Sequence, residues 1–129
     1  MKPTTQTEMY QLIYGNGQAN KPTIIFHEDP AHGWLQVPIT LAKKLGIEAN
    51  ISGYSYMDSK FYYLEEDCDI TALTNGLGLC YETDPKLYRM FIELIPREWT
   101  NGSSPIRNKQ QYSYSAPKVS TITNYQLSL

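Results

Sequence analysis

The chain has 129 residues, the length of one domain with a single core that buries roughly two-thirds of its unfolded surface. Charged residues make up 19% and the formal net charge is −2, which excludes a uniformly basic nucleic-acid coat. No apolar run approaches the ~20 residues that span a bilayer, and the polar stretch from Met1 to Thr7 has no apolar signal-peptide segment, so the expectation is a soluble cytoplasmic protein with no membrane partner.

In chain order, Met9 to Tyr14 is a short apolar run closed by Gly15-Asn16-Gly17, a strand or short helix followed by a loop. Thr23-Ile24-Ile25-Phe26 is β-branched and aromatic and predicts a strand. Asp29-Pro30 marks a turn, and Gly33 to Val37 returns with Trp34 and Gln36 on one face and Leu35 and Val37 on the other. Pro38 suits a helix's first turn and Gly46 its end, so the apolar stripe of Leu41, Ala42 and Leu45 predicts a helix over 39–45. A second hairpin follows, with Gly53 to Met57 alternating, Asp58-Ser59 at the bend and Lys60 to Leu64 returning. Asp67 or Asp69 caps a helix that Gly76 and Gly78 end.

Asp84-Pro85 opens the best-marked helix, with Leu87, Met90, Phe91 and Leu94 at i, i+3, i+4 and i+7. Thr100 to Ser104 is a loop, and Val119 to Leu129 is a last strand or a tail. The expected fold is α+β: two β-hairpins packed with three short helices in one domain, 1–99, followed by a polar basic tail, 100–129, which has room for a last strand.

Charge is unevenly spread. Residues 23–84 carry ten acidic side chains against three lysines, and residues 85–129 carry six basic against two acidic. An acidic body suits a basic protein partner, or docking of the chain's own basic end, better than nucleic acid. The 11 tyrosines against 3 phenylalanines indicate half-buried rings whose hydroxyls reach water or a partner.

Two segments concentrate chemistry, one running from His27 to Leu35 and the other from Tyr62 to Asp69. Imidazole, carboxylate and thiolate are ligands for divalent metals, which makes His27, Asp29, His32 and Cys68 candidate donors, with Cys80 completing a His₂Cys₂ set. The alternative reading has Asp29 capping the turn while a histidine bonds backbone. His32 with Glu65 or Glu66 makes an acid–base pair if the hairpins face each other. No nucleophile elbow, phosphate loop or metalloprotease helix accompanies them, and Cys68 beside three acids is a poor thiolate. No catalytic residue and no cofactor is therefore assigned. Tyr54, Tyr56 and Trp34, with Glu65, Glu66 and Asp67, form the candidate partner-binding set, rings as anchors and acids as rim.

The string from Phe26 to Leu35, with Val37-Pro38, Leu45-Gly46-Ile47, Tyr54-Ser55-Tyr56 and Tyr63 to Asp69, resembles a family of small proteins of no established activity encoded by phages, prophages and plasmids. Members usually have glycine at the place of Ala31. The resemblance implies a mobile-element source and a bacterial host cytoplasm. Trp34 to Pro38 followed by Leu45-Gly46-Ile47 is also similar to the strand–helix unit of AbrB-like swapped-hairpin DNA-binding proteins, which implies a homodimer. Here the corresponding hairpin is acidic. The expected function is thus a non-catalytic phage or mobile-element accessory protein that binds a basic surface on a host or phage protein, a host-defence inhibitor being one form. An AbrB-like dimeric regulator of DNA and a small metal-dependent hydrolase are the alternatives.

Overall fold

The Asp29-Pro30 bend organises the sheet. In the computed structural model, which describes residues 1–15 and 21–115, Asp29 Oδ1 accepts the backbone N–H groups of Ala31 and His32, each at 3.0 Å, which closes the turn. Strand β1 (Ile25–Glu28) and strand β2 (Gly33–Pro38) run antiparallel on either side of it. Pro38 leads straight into helix α2 (Ile39–Leu45), and Gly46 ends that helix at φ 67°, a left-handed conformation that glycine adopts without a Cβ penalty. The second hairpin pairs β3 (Tyr56–Met57) with β4 (Phe61–Glu65), and β4 continues the sheet alongside β2. At its bend Asp58 Oδ1 accepts from the N–H groups of Lys60 and Phe61. The first arm, expected from Gly53, is extended only at Tyr56–Met57.

The remaining elements are α1 (Gln6–Tyr14), α3 (Ile70–Gly76), α4 (Pro85–Leu94), β5 (Arg97–Trp99) and β6 (Gln110–Gln111). Among the described residues there are four α-helices rather than three, the apolar run at Met9 being helical. Its start is a reciprocal cap, Thr5 Oγ1 accepting from Glu8 N while Glu8 Oε1 accepts from Thr5 N, both at 3.1 Å, an arrangement that satisfies two orphan donors. The fold is α+β, with one six-stranded mixed sheet in the order β5-β1-β2-β4-β3-β6. Strand β5 joins β1 in parallel, and β6 joins β3 antiparallel.

Two of the expected caps do other work. Asp69 and Asp84 stand at the N-cap positions of α3 and α4, yet neither side chain bonds its helix. Asp84 pairs with Lys2 Nζ at 2.6 Å, and Asp69 turns inward, as described below.

The strand period of two separates the sheet's faces. Leu35, Val37, Tyr62 and Leu64 point to the helix side and join Met9, Ile13, Leu73, Leu77 and Phe91 in the main core. Trp34 and Tyr63 point to the other side, where they bury Ile106 and pack with Tyr56 and Phe61.

The segment expected to begin a polar tail at residue 100 supplies Ile106 to this second cluster. Ser104 caps a 3₁₀ turn over Pro105–Asn108, and β6 and the buried Tyr112 follow. Ion pairs fasten it, so residues 100–112 belong to the folded body. The strand considered for Val119 to Leu129 lies outside the described residues. Among the described residues no helix is long and apolar enough to cross a membrane.

Candidate functional site

The site lies at the end of the sheet where the first bend meets the exit of β4. Trp34 pairs across the ladder with Glu65, and directly opposed residues of an antiparallel pair share a face. The imidazole of His32 therefore comes within 3.8 Å of the Glu65 carboxylate, Nδ1 to Oε1. The two chemistry-rich segments of the sequence form one surface.

Glu65 is almost buried, and its Oε2 accepts the N–H groups of Asp67 and Cys68, both at 2.9 Å. This ties the turn leading to α3 and leaves Glu66 and Asp67 exposed beside it. Ser55 connects the same strand to the tyrosine loop. Its Oγ accepts from Glu65 N at 2.9 Å and donates to Asp69. The Asp69 carboxylate also accepts from Ser52 N at 3.0 Å and Ser52 Oγ at 2.7 Å. The aspartate that sequence reading places as a helix cap thus anchors the loop that carries Tyr54.

Asp29 is saturated. Besides the turn N–H groups it accepts from Ser104 N at 2.9 Å, from Arg107 Nε at 2.8 Å and from Arg107 Nη2 at 3.1 Å. The guanidinium, first among these, holds the carboxyl well below the usual carboxylate range. Arg107 also stands 4.9 Å from the centroid of the Trp34 ring. The buried Trp34 indole nitrogen has no acceptor among the described residues, so the ring is held by packing and by Arg107.

Together His32, Trp34, Tyr54, Tyr56, Glu65, Asp67, Cys68 and Arg107 surround a cleft of about 310 Å³. All six residues expected to bind a partner lie in or beside it, with Glu66 at the rim. Ligand atoms of His32, Glu65, Glu66 and Asp67 fall within 4.8 Å of one another. The donor set expected from sequence does not converge in this way. His27 bonds Gln36 Oε1 at 2.8 Å and approaches Glu98, Asp29 is occupied by Arg107, and Cys80 donates to Glu82 at 2.8 Å. Of the expected donors, His32 and Cys68 reach the cleft.

No family model, curated protein or solved structure matches the chain. The site's chemistry therefore rests on its own groups. Burial, and then the charges of Asp67 and Glu65, push the Glu66 carboxyl up. The Cys68 thiol is also raised, first by its hydrogen bond to Glu65 and then by burial and the surrounding acids, so it makes a poor nucleophile. Such a cleft attracts cations: three carboxylates crowd one rim, and rings form the walls. Sequence reasoning missed Arg107, Ser104, Ser55 and Asp69 as site-building residues. The signal for Arg107 was the complementary charge of the chain's two halves.

Proposed function

We propose that this is a non-catalytic phage or mobile-element accessory protein that works by binding a basic surface of a host or phage protein, inhibition of a host defence system being one form. The observation that carries the reading is the shared cleft, in which Trp34, Tyr54 and Tyr56 stand beside Glu65, Glu66 and Asp67. Aromatic anchors with an acidic rim are the composition of a protein-recognition patch for a basic partner. Glu66 and Asp67 are exposed, so both can be reversed without opening the core. Protein captured from host lysate is identified, purified and titrated against the wild-type chain and a Glu66→Lys/Asp67→Lys variant. A loss of tenfold or more, shrinking as salt rises, is expected. Equal affinity for both chains defeats the reading.

A small metal-dependent hydrolase is the second reading, favoured by the four donor groups within 4.8 Å. Protein purified without added metal distinguishes the two: a stoichiometric transition metal that activates hydrolysis would displace the binding function.

A further inference from the structure

We propose that the cleft seats the guanidinium of one arginine side chain from the partner, held between the Tyr54 and Tyr56 rings and the carboxylates of Glu65, Glu66 and Asp67. The inference rests on the binding function above and specifies what enters the site.

The fold already docks basic side chains on this face of the sheet in the same manner, twice. Arg107 lies 2.8 Å from Asp29 and 4.9 Å from the Trp34 ring. Lys109 lies 3.0 Å from Asp58 and 4.9 Å from the Tyr63 ring. In each case a cation from the C-terminal segment sits between a carboxylate and an aromatic ring. The cleft repeats these parts, with Arg107 in its wall turned to Asp29. Tyr54 is 72% exposed, and neither Glu66 nor Asp67 has an ion-pair partner among the described residues. Arg107, the basic residue in the wall, has its fork filled by Asp29.

Size and geometry select the occupant. At about 310 Å³ the cleft is at the lower end of ligand sites, which run from ~300 to 1,000 Å³, and so takes a single side chain rather than a folded element. Several carboxylate oxygens converge within 4.8 Å, and the planar fork of five N–H donors on a guanidinium can engage more of them at once than the three donors of an ammonium. The cleft is also open to water. There an ammonium keeps its hydration, whereas the weakly hydrated guanidinium plane stacks on phenol rings.

The test titrates the full chain with a blocked Gly-Arg-Gly tripeptide and its lysine and citrulline counterparts, read by NMR of the Trp34 indole N–H and the tyrosine rings. Saturable shifts with the arginine peptide are expected, with binding at least threefold weaker for lysine and none for citrulline. Glu66→Gln/Asp67→Asn, which keeps side-chain volume, should weaken the arginine peptide at least tenfold. The proposal is overturned by no saturable shift, by equal binding of citrulline or lysine, or by shifts that calcium or zinc alone reproduces. Should the peptide fail while the charge-reversed chain still loses its captured partner, the cleft assignment falls and the binding function stands. If both fail, neither survives.

Discussion

Replacing Ser55 with alanine tests whether the site is held by the hydrogen-bond chain from Asp69 to Glu65. Ser55 is fully buried; its hydroxyl donates to the Asp69 carboxylate and accepts from Glu65 N at 2.9 Å. A hydrogen bond to a charged group contributes roughly 1.5–3 kcal/mol, and a buried N–H left without an acceptor costs about 1–3 kcal/mol. Asp69 keeps its two bonds from Ser52, which limits the damage on that side, so the expected loss is about 3 kcal/mol. For a chain of this size that lowers Tm by roughly 10 °C. Ser52→Ala is the control. Ser52 is half-buried and gives Asp69 its hydroxyl at 2.7 Å, and its loss should cost about 1 kcal/mol. Urea denaturation of both variants, with Asp69→Asn and the Ser55→Ala/Asp69→Asn double variant, closes a mutant cycle in which the two changes should be strongly non-additive. If Ser55→Ala costs no more than Ser52→Ala, the chain of bonds is not what positions the strand end, and the reasoning fails.

Four further outcomes follow from the same structure. Gly33→Ala should destabilise by about 1–3 kcal/mol in denaturant unfolding, because the added Cβ would stand 2.3 Å from Phe26 Cζ and 3.0 Å from Glu66 Oε2. Glu66 holds its proton more tightly in the folded chain than in the unfolded one, so its charge works against folding once pH has risen through its titration range. Glu66→Gln should therefore raise Tm at pH 7, with the gain vanishing near pH 3. Asp29 and Asp58 behave oppositely, both held low; their stabilisation is present above the unfolded value near pH 4 and disappears as pH falls below it. Asp29→Asn, which already lacks the Arg107 ion pair, should unfold with a shallower pH dependence between pH 4 and 2. Burial holds Tyr112 up at about 12 and pushes Tyr62 and Tyr63 higher still. Ultraviolet titration should show these three phenols ionising only as the chain unfolds.

What could be read from the sequence was whatever its punctuation and period specify locally. Helix α2 ends at Gly46, the left-handed stop that glycine favours, whereas Pro38, expected in the first turn, stands one residue ahead of it as the extended N-cap and last residue of β2. The strict alternation from Trp34 to Val37 assigned both faces of β2, and the burial of Leu35 and Val37 under the helices bears this out. The apolar run of α1 fits a strand as well as a helix, although Thr5 and Glu8 carry a capping-box spacing. Strand β5 gave no signal, since Arg97, Glu98 and Trp99 are all exposed and the strand exists through backbone pairing with β1. The contacts that clamp the site join residues far apart. Arg107 and Asp29 are separated by 78 positions and Asp69 and Ser52 by 17; no local pattern encodes such a pairing, and Asp69 imitates a helix cap in the sequence.

The register between β2 and β4 decides whether this surface exists at all. With Trp34 opposite Glu65 and Gln36 opposite Tyr63, the carboxylate faces the side that carries Tyr56 and Ile106. A slip of one residue would send Glu65 to the helix side and bring Leu64 out, an exchange of a charge for an alkyl group inside the core. Asp29 holds the β1–β2 bend at the same end of the sheet. It fixes the bend through Ala31 and His32 and fastens the bend to the returning C-terminal segment through Arg107 and Ser104. Tyr63 Oη and Lys109 Nζ meet on Asp58 Oδ2 at the second bend, at 2.6 Å and 3.0 Å. Both hairpin bends are thus clamped by an aspartate to the segment that the charge pattern separates from the body. Among the described residues Glu66 and Asp67 have no ion-pair partner, so the arrangement that clamps both bends leaves the charge of these two acids at the surface.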